Sequence, residues 1–170
     1  MRIRRALAVP GAAVLTTLLA ASGARAAVAA PAVCAEGSVR VTASAGATAH
    51  VIRIRVTNES RAACVVDRIP AVTFGTLDGS ARPVPPSRSA PYRLAAGYSG
   101  YAAVRTLDPA AEQSRTVADV YVAGDPSHRG TRFIAASVGA PRGVRVWDPV
   151  TTLWQPTRAA ADAALDRATR

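Results

Sequence analysis

Few side chains in this 170-residue chain can do chemistry. It has two cysteines, Cys34 and Cys64, two histidines, His50 and His128, and a single methionine, Met1. A reactive thiol needs a neighbouring base or positive charge, and a metal centre needs several converging ligands. A zinc site would consume nearly every ligand the chain has. A methionine/histidine copper site loses its methionine with the N-terminal segment. Asp125, Ser127 and His128 supply the letters of a hydrolase triad. Adjacent residues cannot adopt triad geometry among themselves, because the base must reach the nucleophile from a separate position. There is no Gly-x-Ser-x-Gly,. The acids are scattered singly, not paired as glycoside hydrolysis requires. A polar loop turned at Asp125-Pro126 accounts for the stretch. No catalytic residue, metal or cofactor is expected; the enzymatic alternative is a secreted hydrolase using His128 or His50.

The thiols depend on the compartment. The chain opens MRIRR, continues with the apolar ALAVPGAAVLTTLLAA and then SGARAAVAAP. These are the basic, apolar and small-residue parts of a secretory signal. We expect a signal peptide over residues 1–26, with cleavage possible up to 30. A membrane span needs about 20 apolar residues, and this run is broken by Pro10-Gly11. Two cysteines in an exported protein read as one disulfide. Its loop of about 31 residues is worth about 3.7 kcal/mol in the chain-entropy picture. The alternative is a lipid anchor on Cys34, although Pro31-Ala32-Val33 makes a poor lipidation sequence.

Charge narrows the partners. All basic residues are arginine, and the formal charge of +10 falls to +6 once the leader's four arginines are removed. A basic exported protein is drawn to anionic envelope polymers or membrane surfaces. Nucleic acid is not an expected partner, and membrane contact is expected only through the signal before cleavage. Arg40, Arg53 and Arg55 alternate with apolar residues and can line one exposed strand face,. Against this stands an ordinary solvated face that also discourages edge aggregation. Trp147 is expected to plug the core, whereas Trp154 suits a core plug or a binding rim equally. Candidate ligand contacts are therefore Arg40, Arg53, Arg55 and Trp154. Tyr92, Tyr98 and Tyr101 cluster around Gly97 with the same ambiguity.

Alternation of period two predicts the elements that hold these residues. Strands are expected at 38–42, 52–57, 64–66, 72–77, 101–106, 115–123, 133–134 and 144–147. Asp78-Gly79 marks a tight hairpin, and the four prolines of 82–91 mark a surface loop. Thr157 can N-cap a short C-terminal helix, weakly docked or frayed, over 158–168. The fold class is all-β, an immunoglobulin-like antiparallel sandwich of 7–9 short strands with a short C-terminal helix. Residues 34–156 form the sandwich and 157–170 the helix or tail.

The order of features carries a resemblance. An early Cys34 precedes the strand ending RVTNES, then Cys64-Val65-Val66, Ile69-Pro70-Ala71-Val72, Asp78-Gly79 and Leu94-Ala95-Ala96-Gly97. This resembles domain-of-unknown-function family 4232, exported β-sandwich proteins of high-GC Gram-positive bacteria, over residues 34–123. The resemblance implies a secreted or lipid-attached sandwich and no activity. A second cysteine pair found in many members is absent here. The glycine of their "rGyP" segment is absent too, where this chain reads Asp67-Arg68-Ile69-Pro70. We expect a secreted, non-enzymatic domain that binds an anionic wall polymer or another envelope protein. A purely structural protein-interaction domain, with an apolar patch around Trp154, is the further alternative.

Overall fold

The computed structural model describes residues 32–170; the expected signal segment lies outside them. The strands are β1 (Val39–Ala45), β2 (Val51–Asn58), β3 (Cys64–Asp67), β4 (Ala71–Phe74), β5 (Arg82–Val84) and β6 (Pro91–Leu94). They continue with β7 (Ser99–Arg105), β8 (Arg115–Val117), β9 (Asp119–Ala123), β10 (Thr131–Ile134), β11 (Val144–Val146) and β12 (Val150–Thr152). One helix, α1 (Arg158–Ala168), follows. The fold is all-β and sandwich-like.

The large sheet has the order β1-β2-β7-β12-β5, antiparallel except where β12 meets β5. Opposite it lie the β10-β9-β4 sheet and the ribbons β11-β8 and β3-β6. The alternation of β2 decides the packing. Ile52, Ile54 and Val56 are buried with Val72 and Phe74 of β4 and Val120 and Val122 of β9. Arg53 and Arg55 fall on the other face, in register with Ala103 and Tyr101 of β7.

That other face is covered in part. Thr157 caps α1 by accepting from the Ala160 N–H at 3.1 Å. Ala161 and Leu165 pack with Ala103 and Val150 in a second small apolar cluster. β7 and β12 therefore carry buried residues on both faces. A strand buried on both faces loses its alternation, which is why VTT of β12 was not expected as a strand. The helix is held more firmly than anticipated, because Arg53 reaches Asp162 with Nε at 3.0 Å and Nη2 at 2.7 Å.

Three expectations need correction. The strand expected at 115–123 is two, parted at exposed Ala118. Val117 and Val120 both point inward, three residues apart, which a continuous period-two strand cannot do. The proline segment 82–91 is loop only in its middle. β5 pairs with β12 and β6 pairs with β3, and Pro83 is tolerated because β5 is an edge,. The expected tight hairpin at Asp78-Gly79 is a wider connection: β4 ends at Phe74, and Thr73 and Ser80 form a single bridge. No helix among the described residues is long and apolar enough to cross a membrane.

Candidate ligand-binding cleft

Cys34 and Cys64 form a disulfide, with an S–S distance of 2.05 Å. Both sulfurs are therefore committed to each other, which leaves neither a thiol nucleophile nor a lipid attachment point at Cys34. Around the bridge the polar groups are paired. Asn58 is fully buried. Its Nδ2 donates to the carbonyls of Ala62 (2.8 Å), Leu94 (3.1 Å) and Ala95 (3.2 Å). Its Oδ1 accepts from the Ser60 N–H and hydroxyl at 2.9 and 2.7 Å. The His128 ring meets the Cys34 carbonyl through Nε2 at 2.9 Å. Burial alone would raise the Asp125 carboxyl. Hydrogen bonds from Ser127 and the Asp67 N–H, with the charge of His128, hold it below its ordinary value instead. The Asp125-Ser127-His128 group is thus a loop latch. Ser127 Oγ donates to Asp125, and the histidine turns to a carbonyl.

The arginine face is real but largely neutralised. Arg40, Thr42 and Ser44 of β1 share it with Arg53 and Arg55 of β2. Arg40 pairs with Glu59 and Arg53 with Asp162. Those partners raise both guanidinium pKa values, chiefly through hydrogen bonding. Among the described residues, Arg55 donates only to the hydroxyls of Thr57 and Ser99, each at 3.0 Å. Arg55 and Arg158 border a hollow of just ≈70 Å³.

Trp147 departs from its expected role, and Trp154 takes the core-plug one of its two. Trp154 is 3% exposed and belongs to the core, so it presents neither a binding ring nor a docking patch. Trp147 is 37% exposed. The cause is position: Trp154 follows β12 beneath Gly100 and β7, whereas Trp147 follows β11 at the rim. Of the tyrosines, Tyr98 is exposed, while Tyr92 and Tyr101 pack against the two apolar clusters. Burial raises the Tyr92 pKa.

Several hollows of similar volume mark the surface, the most voluminous (≈510 Å³) beside Ile134 and Arg142, and one lies at the opposite end of β2 from Asn58. A hollow of ≈400 Å³ opens between the β1–β2 turn and the segment 138–145. Ala45, Ile52, Val138 and Val144 form apolar wall, and His50, Arg142 and Arg145 bring charge capacity. A second hollow of ≈430 Å³ shares His50 and Arg145 and adds Arg105 and Asp108. Two glycines shape the wall. Gly139 (φ 82°) and Gly143 (φ 105°) are left-handed. A Cβ on either would come within 2.5 Å of Ala45 Cβ or 2.4 Å of Thr116 Cγ2. His50 does not face the core as its phase with Ile52 allowed. It is an exposed turn residue at φ 63° whose carbonyl accepts from Thr106 N–H at 2.8 Å. Holding a non-glycine residue there costs about 1 kcal/mol or more.

The model of the family described as "Domain of unknown function (DUF4232)" matches residues 34–159. The chain belongs to this family. No curated protein and no solved structure matches it. The DUF4232 match starts at the bridging Cys34 and runs into the first turn of α1, so it spans the sandwich and reaches beyond the residue 123 at which the resemblance had stopped. Its description assigns no activity.

Sequence reasoning about this DUF4232 domain missed Arg105, Arg142 and Arg145. Pro141-Arg142-Gly143 reads as a turn, and Arg145 as an outward residue between Val144 and Val146; both readings are right. What they face is set by the β1–β2 turn and Thr106, which are distant in sequence. Among the described residues, five arginines have a carboxylate within salt-bridge distance: Arg40, Arg53, Arg82, Arg105 and Arg132. Arg142 and Arg145 have none; Arg145 donates to Ser114 Oγ at 3.1 Å. Arg105 gives Nη2 to Asp108 at 2.9 Å, but its buried Nε has no partner. No group of three or more His, Cys, Asp or Glu side chains able to hold a metal occurs among the described residues.

Proposed function

We propose that this DUF4232 domain is an exported, non-enzymatic binding domain of the cell envelope, and that it holds an anionic envelope polymer at the cleft beside His50. One observation carries the reading: Arg142 and Arg145 line the same hollow without a carboxylate partner. An arginine left unpaired against apolar walls is attracted to an incoming phosphate or carboxylate more strongly than one in open water. Arg105 borders the adjoining hollow, but its Nη2 is held by Asp108 and its Nε is buried, so it adds positive charge nearby and no free donor. Export is supported by the N-terminal pattern and fits the Cys34–Cys64 disulfide,. The absence of catalysis is supported by the histidines, since neither ring hydrogen-bonds to a serine or carboxylate among the described residues. The arginine face of β1 and β2 is the weaker candidate, because Glu59 and Asp162 already occupy Arg40 and Arg53.

The test is retention of the purified, disulfide-bonded protein on immobilised poly(glycerol phosphate) at low and moderate salt. Retention should fall as salt rises, since exposed charge pairs are screened within about 8–10 Å at moderate ionic strength. The Arg142→Ala/Arg145→Ala double variant should bind at least tenfold more weakly, while Arg55→Ala changes little. Absence of retention, or retention indifferent to the double variant, overturns the reading.

A further inference from the structure

A separate hollow of ≈440 Å³ opens at the end of β11, between the connection after β4 and the turn that leads into β12. Trp147 lies in it with 37% of its surface exposed. Its backbone is anchored from behind. The Trp147 backbone N–H donates to the Thr106 carbonyl at 2.9 Å, and the Trp147 carbonyl accepts from the Asp108 N–H at 3.0 Å. The next residue, Asp148, takes the left-handed φ of 47°. Its carboxylate holds Arg82 through Nη2 at 2.6 Å and Nε at 3.1 Å, which fixes that side of the rim. The other lining groups are uncommitted. Thr76, Asp78, Ser80 and Arg115 border the hollow. Their side chains make no hydrogen bond among the described residues, whereas Asp125, Ser127 and Asn58 elsewhere are engaged.

A half-exposed indole on a hydrogen-bonded stretch of backbone, beside free hydroxyl, carboxylate and guanidinium groups, has a specific chemical match. A pyranose presents an apolar C–H face and an equatorial ring of hydroxyls. The indole offers a flat apolar surface at little entropic cost. The surrounding groups offer acceptors and donors spaced about its edge. A bare polyanion would make no use of the ring and would be repelled by Asp78. An apolar peptide side chain would leave the polar groups around it unpaired, which costs binding energy. We propose that the Trp147 hollow is a carbohydrate subsite that stacks one neutral pyranose ring on the indole and hydrogen-bonds it through Asp78, Ser80 and Arg115. This proposal does not rest on the arginine cleft; a polymer with both sugar and anionic units could use the two sites together.

The chain's two tryptophans make the test direct, since Trp154 is buried and Trp147 is not. The disulfide-bonded protein is titrated with neutral hexasaccharides of β-linked glucose, β-linked N-acetylglucosamine and α-linked mannose. Tryptophan emission and ligand-observed saturation-transfer NMR are followed together. At least one hexasaccharide should give a saturable emission change, with saturation transfer to its ring protons. Trp147→Ala, read by NMR because it removes the reporter, should weaken binding at least tenfold. Asp78→Ala should weaken it severalfold; Asp78 is exposed and makes no side-chain hydrogen bond, so that variant is expected to fold. Arg142→Ala/Arg145→Ala should leave the titration unchanged, which separates this result from the fate of the anionic reading. The proposal is overturned by no saturable response to any of the three sugars at millimolar concentration, or by a response that survives both Trp147→Ala and Asp78→Ala.

Discussion

β2 joins two regions of opposite character. Its C-terminal end is the Cys34–Asn58 corner and its N-terminal end is the His50–Arg145 cleft, about 20 Å apart at the usual strand rise. At the corner most polar groups are matched, the buried Trp154 indole N–H near Gly100 excepted: Asn58 has five hydrogen bonds, His128 has a carbonyl, and Asp125 has Ser127 and the Asp67 N–H. At the cleft they are not: Arg142 has no carboxylate partner, Arg105 Nε has no partner, and His50 is held in a left-handed turn. Satisfied polar groups define a fold and give a ligand nothing to bind. Unsatisfied ones on a concave surface weaken a fold and leave affinity available. The difference teaches where to look for function: at the end with the poorer hydrogen bonding, not at the end with the recognisable sequence.

The comparison breaks first at the corner. Asn58→Ala removes the donor to three carbonyls and the acceptor for Ser60. Leaving buried backbone acceptors unpaired costs about 1–3 kcal/mol apiece, so the loss should be about 4 kcal/mol, measured as the urea midpoint at constant slope. Asn58→Asp sharpens the point. It preserves the Ser60 contacts but faces three carbonyls with an acceptor, and should be no better tolerated. Next comes the Cys34→Ser/Cys64→Ser pair. Opening a loop of about 31 residues should cost at most about 3.7 kcal/mol. If either set unfolds no more easily than the parent chain, the corner is not the anchor of the fold.

The same contrast explains what could be read from the sequence. The corner was legible because its physics is local and compositional: two cysteines behind a signal-like leader, a strand of strict alternation, and a turn rich in Asn and Ser. The C-terminal helix was legible from the Thr157 cap, but its docking was not, because an alanine-rich face gives little sign of the Ala103 and Val150 surface that receives it. Arg53 misled for the same reason: alternation placed it outside the core correctly but said nothing of Asp162, 109 residues away in the chain. Trp147 was misplaced and Trp154 left undecided because periodicity does not distinguish a residue just past a strand at a rim from one beneath a neighbouring strand. The cleft drew on turns far apart in sequence, so no motif announced it.

Intermediate effects lie along the seam between the two ends. Asp162→Ala leaves Arg53 without its carboxylate on a partly covered face and should cost about 1 kcal/mol. It should also speed proteolysis at α1 before the sandwich opens. Arg53→Ala should behave alike, and the double variant should cost little more than either alone if the pair is the reason. Asp125 sets a pH dependence. Its folded pKa lies below the ordinary value of about 3.9,. The stability it contributes is therefore complete above about pH 4 and disappears as pH falls through the lower folded value. Asp125→Asn should flatten the acid limb of urea stability and lower neutral-pH stability by about 1 kcal/mol, since its Nδ2 cannot accept from the Asp67 N–H,.

The smallest structural effect belongs to the cleft, and there the comparison is at its sharpest. Arg145 is exposed and gives one hydrogen bond, to Ser114; Arg142 is exposed and has no ion-pair partner. Exposed substitutions away from special features usually change stability by no more than about 0.5 kcal/mol. Removing two like charges that face the same hollow relieves repulsion as well. Arg142→Ala/Arg145→Ala should therefore match or slightly exceed the parent in thermal midpoint while losing at least tenfold in polymer affinity. Asn58→Ala should show the reverse: a large stability loss, with affinity unchanged at temperatures where the protein remains folded. A double variant that destabilises as strongly as Asn58→Ala would mean that the arginines hold the cleft together. The two ends of β2 would then differ in sequence but not in role.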